Sequence, residues 1–286
     1  MSPGNVDLPV IGARSADTHA HLDMLDDPAG ALERAALAGT TFVVTVVDPT
    51  ENAGASLDSV QAWADEANAR LVNWAIPDSV PPEVRVIVGV HPHNSRHYDE
   101  SVRALITEFA ALPVVTGIGE IGLDFHYDHS PRADQVSAFS AQLELARQFD
   151  LPAVVHLREA HEEGIALMRE VGLPDAGCVL HCFTGGPALV APFLELGCHI
   201  SFAGPLTFRR AADVREALLA VPLDRVLFET DCPFMAPEPL RGRTNEPAWV
   251  TLTITKAAEV RGEPAEVVSL AALENARRLF GGPERA

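Results

Sequence analysis

The segment Asp17-Thr18-His19-Ala20-His21 places two imidazoles two residues apart. In an extended strand this spacing puts both side chains on one face, where they can grip a single cation. Alone, such a pair is as well read as packed or surface histidine. Glu120 lies among glycines and apolar residues in Gly117-Ile118-Gly119-Glu120-Ile121-Gly122-Leu123-Asp124, where a carboxylate needs a metal or a cation beside it. His156 follows Ala153-Val154-Val155, His181 follows Cys178-Val179-Leu180, and Glu229-Thr230-Asp231 closes another apolar run. Each of these has a structural reading by itself. Together, His19, His21, His156 and His181 with Glu120 and Asp231 suit two adjacent divalent ions, Zn²⁺, Mn²⁺, Ni²⁺ or Mg²⁺. Two such ions ~3.5–4 Å apart clamp the attacking and leaving oxygens of a displacement and bring bound water to a pKa of about 7. Glu120 is the candidate to bridge them. Asp231 is the candidate to ligate and to accept the proton of the attacking water.

Something must hold these groups together. Eight short β-branched apolar runs predict strands: Ala16–Ala20, Thr41–Val47, Val84–Val90, Val114–Ile121, Ala153–Leu157, Cys178–Phe183, His199–Ala203 and Val226–Thr230. Helical spacing fills the intervals at Ala29–Ala38, Leu57–Arg70, Ser101–Ala111, Arg132–Phe149, Glu159–Val171, Ala188–Leu196 and Ala212–Leu219, and then across Glu246–Phe280. Gly39 and Gly172 stand where helices stop, and Pro131 and Pro187 where they start. Strict alternation predicts parallel βαβ units, and eight of them predict a closed (β/α)8 TIM barrel rather than an open doubly wound sheet. The candidate residues then fall at the carboxyl ends of strands 1, 4, 5, 6 and 8, the face on which barrels carry function. No repeat and no flexible linker interrupts the pattern. One barrel domain over 16–286, after an N-terminal extension over 1–15, is expected. Trp74–Pro82 reads as a loop before the third strand, on the opposite face.

Composition narrows the chemistry. Of 286 residues 47% are apolar, enough for a large core. The charge is 21 − 40 = −19, without the basic stripe of a duplex-binding protein, so an anionic substrate must be held locally. Lys256 is the only lysine, in a helical stretch, which excludes a Schiff-base barrel and a phosphate loop ending in GK[ST]. Cys178, Cys182, Cys198 and Cys232 form no CxxC and read as free thiols. No apolar run is long enough for a membrane span and no signal peptide is visible, so a cytoplasmic enzyme without membrane partners is expected.

The sequence resembles the TatD-type metal-dependent deoxyribonucleases of the amidohydrolase-like barrels. The motifs are DTHAHLD (17–23), GVHPH (89–93), GEIGLDFHYDHSPRADQ (119–135), HLREAH (156–161), HCFTGG (181–186), SFAGPLTF (201–208), ETDCPFMAP (229–237), RGRTNEP (241–247) and NARRLF (275–280). The resemblance implies that His19, His21 and Asp231 hold one metal, His156 and His181 a second, and that Glu120 bridges. It implies phosphodiester hydrolysis by metal-bound hydroxide, as a 3′–5′ exonuclease on single-stranded DNA or RNA. The alternative on the same barrel is an amidase, lactonase or ester deacylase, including deacylation of aminoacyl-tRNA. A non-catalytic scaffold is disfavoured because all six candidate ligands are present. Phe234 stands where the family commonly has Tyr, and Arg243-Thr244 where it has two basic residues. Substrate contacts are expected from His91 or His93 after strand 3, from His126, and from Arg241 and Arg243. Arg158 is expected to pair with a carboxylate, and His161 and His199 to be structural.

Overall fold

The structure is a computed structural model that describes residues 8–281 apart from 52, 73 and 75–79. Eight parallel strands stand side by side in sequence order: β1 (Ser15–Ala20), β2 (Thr40–Val47), β3 (Glu83–Val88), β4 (Val115–Asp124), β5 (Ala153–Arg158), β6 (Cys178–Leu180), β7 (His199–Phe202) and β8 (Val226–Phe228). Helices α1 (Pro28–Leu37), α2 (Ala53–Val72), α3 (Glu100–Ala110), α4 (Arg132–Phe149), α5 (His161–Val171), α6 (Val190–Glu195) and α7 (Ala212–Ala220) connect them. The sheet closes on itself. Asp231 N donates to His19 O at 2.9 Å, His21 N donates to Cys232 O at 2.8 Å, and Ala20 and Cys232 bridge in parallel. The fold is the (β/α)8 barrel, not the open sheet.

Residue parity along the strands assigns the two faces. Phe42, Val44 and Val46 of β2, Ile87 of β3, Val154 of β5, Val179 of β6 and Leu227 of β8 gather into one buried cluster inside the ring. Two residues further along the same faces come Asp48, His156, His181 and Glu229. The apolar interior thus turns polar at the carboxyl ends of β2, β5, β6 and β8. The other parity, including Val155, Leu180, Phe202 and Phe228, packs with the helices in the main core.

The elements differ from expectation in a few places. β4 runs on to Asp124, because backbone pairing with β5 continues as far as Asp124 opposite Arg158. β5 likewise reaches Arg158, so α5 starts at His161 rather than Glu159. β6 and β8 stop at Leu180 and Phe228, which leaves His181 and Asp231 on the turns just beyond. Glu246–Phe280 is two helices, α8 (Val250–Arg261) and α9 (Ala265–Phe280), broken where Gly262 takes a left-handed φ of +67° ahead of Pro264.

Helix α9 plugs the amino-terminal end of the barrel. Its Leu273, Ala276, Leu279 and Phe280 belong to the interior cluster, and Phe280 is fully buried. Asn275 Nδ2 fixes the docking by donating to the carbonyls of Leu223 and Val226 at 2.8 and 2.9 Å. Residues 1–7 of the expected extension, and most of the expected loop Trp74–Pro82, lie outside the described residues. No described helix is long and apolar enough to cross a membrane.

Candidate metal centre

Glu120 is the hub of the carboxyl end. Its side chain is 5% exposed, and five imidazoles face its two oxygens. His156 Nδ1 and His181 Nε2 each lie 2.9 Å from Oε1, and His91 Nε2 lies 3.3 Å from it. His19 Nε2 and His21 Nε2 approach Oε2 at 3.2 and 3.8 Å. His21 Nε2 also lies 3.5 Å from Asp231 Oδ1. Burial by itself would neutralise Glu120, but His181, His91 and His19 outweigh it and hold the carboxyl well below its usual range. Burial opposes the charge on His181 too, and there Glu120 and Glu229 win, raising its pKa well above the ordinary value. His19 is pushed the other way, by burial and by His181, whose ring stacks on its own at 4.0 Å between centroids.

The site's supports come from both ends of the chain. Glu229 is fully buried and binds His181 Nδ1 at 2.9 Å while accepting from Ser201 Oγ and Cys182 N, both at 2.6 Å. Asp17 accepts from Thr230 N at 2.8 Å and Thr230 Oγ1 at 2.6 Å, which fastens the end of β1 to that of β8. Burial pushes the Asp17 carboxyl up to about 8 despite those bonds. Asp124 accepts from the amides of His126 and Tyr127, both at 3.0 Å, and meets His93 Nε2 at 2.9 Å and His156 Nε2 at 3.4 Å. Gly122, at φ +144°, lets β4 run hard against β5, for a Cβ there would collide with the His156 carbonyl.

The donor set fits divalent cations. Ligand atoms of His19, His21 and Glu120 lie within 4.8 Å of one another, as do those of His91, Glu120 and His156, and those of His19, His181 and Glu229. His19 Nδ1 is buried without a hydrogen-bonding partner among the described residues. Imidazoles facing one another, such as His156 Nδ1 and His181 Nε2 at 3.3 Å, want a cation between them.

The six residues singled out in the sequence as ligands meet here. His91, expected to touch substrate, lies 3.3 Å from Glu120, between the 3.2 Å of His19 and the 3.8 Å of His21. His93 lines the cavity above, on Asp124. The structure sets the remaining candidates for substrate contact outside the lining of this cavity. His126 is absent from the cavity wall, since its Nδ1 is engaged by Glu159 at 2.8 Å on the outer rim. Arg241 lies over the Phe208 ring at 4.2 Å, and Arg243 lines a separate cleft beside Trp249, so neither reaches the cavity. Past Phe234 and Met235, which line the cavity, the loop after β8 makes a turn in which Leu240 N donates to Pro237 O at 2.7 Å. Sequence reasoning passed over Asp124 and Asp17. An Asp directly after an apolar strand was the available signal for the first. The second needed knowledge that β1 and β8 are neighbours.

The centre floors a cavity of about 600 Å³ whose upper wall includes Asp48, Tyr127, Arg158, Phe234 and Met235. A ring of eight parallel strands carrying this cluster at its carboxyl end defines a metal-dependent hydrolase. The chain belongs to the family described as TatD related DNase, which matches residues 16–281. It is 32% identical, over 98% of both chains, to the uncharacterized metal-dependent hydrolase TatD of Mycobacterium tuberculosis. It is 39% identical over 198 residues, 68% of this chain and 75% of the other, to the 3′-5′ ssDNA/RNA exonuclease TatD of Klebsiella pneumoniae. Among solved structures, the TatD homolog YJJV of Escherichia coli K12 superposes with a TM-score of 0.82 at 28% identity, covering 95% of this chain and 99% of that one.

Proposed function

We propose that the chain hydrolyses phosphodiester bonds at the ends of single-stranded DNA or RNA, removing nucleotides in the 3′–5′ direction. The observation that carries this is the buried carboxylate of Glu120 ringed by five imidazoles on the floor of an open cavity. In this reading His19, His21 and Asp231 hold one divalent ion, His156 and His181 a second, and Glu120 lies between. Bound there, a pair of ions supplies Lewis-acid activation of water and neutralises charge on the phosphate. The chain's residues do the rest. Asp231 presents Oδ1 to the cavity as the base for the attacking water. Glu229, 2.9 Å from Nδ1, fixes the ring plane of His181. The relative named as an ssDNA/RNA exonuclease supports the same substrate class.

The test is digestion of 5′-labelled single-stranded DNA with Mg²⁺ or Mn²⁺ by the wild type, Glu120→Ala and Asp231→Ala, with metal content measured on each. A ladder from the wild type that is lost in both variants supports the proposal. Intact DNA with metal bound overturns it in favour of carboxylic ester or amide substrates.

A further inference from the structure

Arg158 ends β5 two residues beyond His156, so both side chains leave the same face of the strand. Among the described residues that line the cavity, it is the one arginine or lysine. Its guanidinium carbon stands 4.6 Å from the centre of the Tyr127 ring. It forms no ion pair with any described carboxylate, and its side-chain N–H groups meet no described acceptor. The adjacent Glu159 is turned outward to His126. The expected pairing of Arg158 with a carboxylate is therefore absent among the described residues. In a chain with 40 acidic and 21 basic residues, a half-buried guanidinium left to an aromatic ring calls for an anion from outside.

The support is rigid. Phe125 N donates to Arg158 O at 2.9 Å, which zips β4 to β5 up to the mouth and holds the Tyr127 turn beside the arginine. The His129 ring lies parallel to that of Tyr127, 5.5 Å away, and the His93 ring stands perpendicular to it at 5.6 Å. A stacked, planar guanidinium loses little further freedom on gripping a phosphate. The same cavity is acidic elsewhere on its wall, at Asp23, Asp48 and Glu51, so a phosphate is repelled there and drawn toward β5. Two residues of strand carry Arg158 about 6.6 Å beyond His156, comparable to the step between successive phosphates of an extended single strand.

We infer that Arg158, seated on Tyr127, clamps the second phosphate of a single strand whose terminal linkage lies at Glu120 and Asp231. The inference rests on the phosphodiester reading above. A charge-assisted fork of this kind changes affinity by ~10–100-fold. The experiment uses the metal-loaded full chain and two ten-nucleotide strands. One is all phosphate, and the other carries a neutral methylphosphonate at the second linkage from the 3′ end.

For the wild type the neutral linkage should raise KM at least tenfold with a smaller change in kcat. Arg158→Met, which keeps the stem over Tyr127, should have that raised KM on both strands and no longer tell them apart. Arg158→Lys should recover part of the discrimination, charge without the fork. Discrimination that survives in Arg158→Met, or a wild type indifferent to the neutral linkage, overturns the inference while leaving nuclease activity standing. A wild type that cuts neither strand overturns the phosphodiester reading itself.

Discussion

Acid should unfold this protein partly through one histidine far from the metal centre. His199 opens β7 at the plugged end of the barrel and is 5% exposed. Arg278 Nη2 donates to its Nε2 at 3.2 Å. Burial, then the cations of Arg225 and Arg278, push its pKa from 6.5 down to about 4. Unfolding releases it to the ordinary value. Between those two values the unfolded chain binds a proton that the folded chain refuses, so stability falls as pH drops through 6.5 and goes on falling to about 4. At ~1.36 kcal/mol per unit, going from pH 7 to pH 5 removes about 2 kcal/mol. The assay is urea unfolding of the wild type and His199→Gln at pH 7, 6 and 5. Glutamine keeps an acceptor for Arg278 and does not titrate. The wild type should lose about 2 kcal/mol more than the variant, ~0.7–1 M in urea midpoint for a slope of ~2–3 kcal/mol/M. Equal pH dependence in the two proteins, within about 0.5 kcal/mol, would refute the reasoning.

Other outcomes follow from the same structure. Glu229→Gln should keep the fold but weaken divalent metal binding by ~10–100-fold, read by competition with a chelating dye, because His181 loses the carboxylate that orients it. Phe280→Ala should cost about 3–5 kcal/mol in urea unfolding at pH 7, because it empties the floor of the barrel; a cost under about 1 kcal/mol would mean that α9 is not an integral plug. Gly122→Ala should force β4 and β5 apart at His156, and is expected to yield either no soluble protein or protein with lowered metal content.

Much of this architecture was legible because one rule, the two-residue alternation of a strand, governs both the core and the site. Val154 and His156, or Val179 and His181, obey it on the same face, so a barrel filled with apolar residues implied histidines gathered at its rim. What escaped the sequence depends on contacts between distant segments. Asp17 and Thr230 meet across 213 residues of chain. The loop after β8 carries Arg241 onto the Phe208 ring and Arg243 into a separate cleft, placements that residue type alone does not give. Arg158 had the residue type for a salt bridge, and only the fold, which sends Glu159 outward to His126, shows that it makes none among the described residues. The break in the last helical stretch was written in Gly262-Glu263-Pro264 but was masked by continuous helical spacing on both sides.

The seam between β1 and β8, together with the plug formed by α9, has a consequence for how the molecule comes into being. A ribosome that has delivered residues up to about 220 has made seven strands and their helices. That chain still lacks Asp231, the partner strand for His19 and His21, and the apolar side chains that stopper the barrel. Its interior is open to water at one end and along one side. Glu120 and its five imidazoles are all present by then, but the seam that sets Asp231 beside His21 is not, so the ligand set stays incomplete until β8 joins β1. Closure of β8 onto β1 should then be a late event of folding, the one that brings Asp231 to the centre.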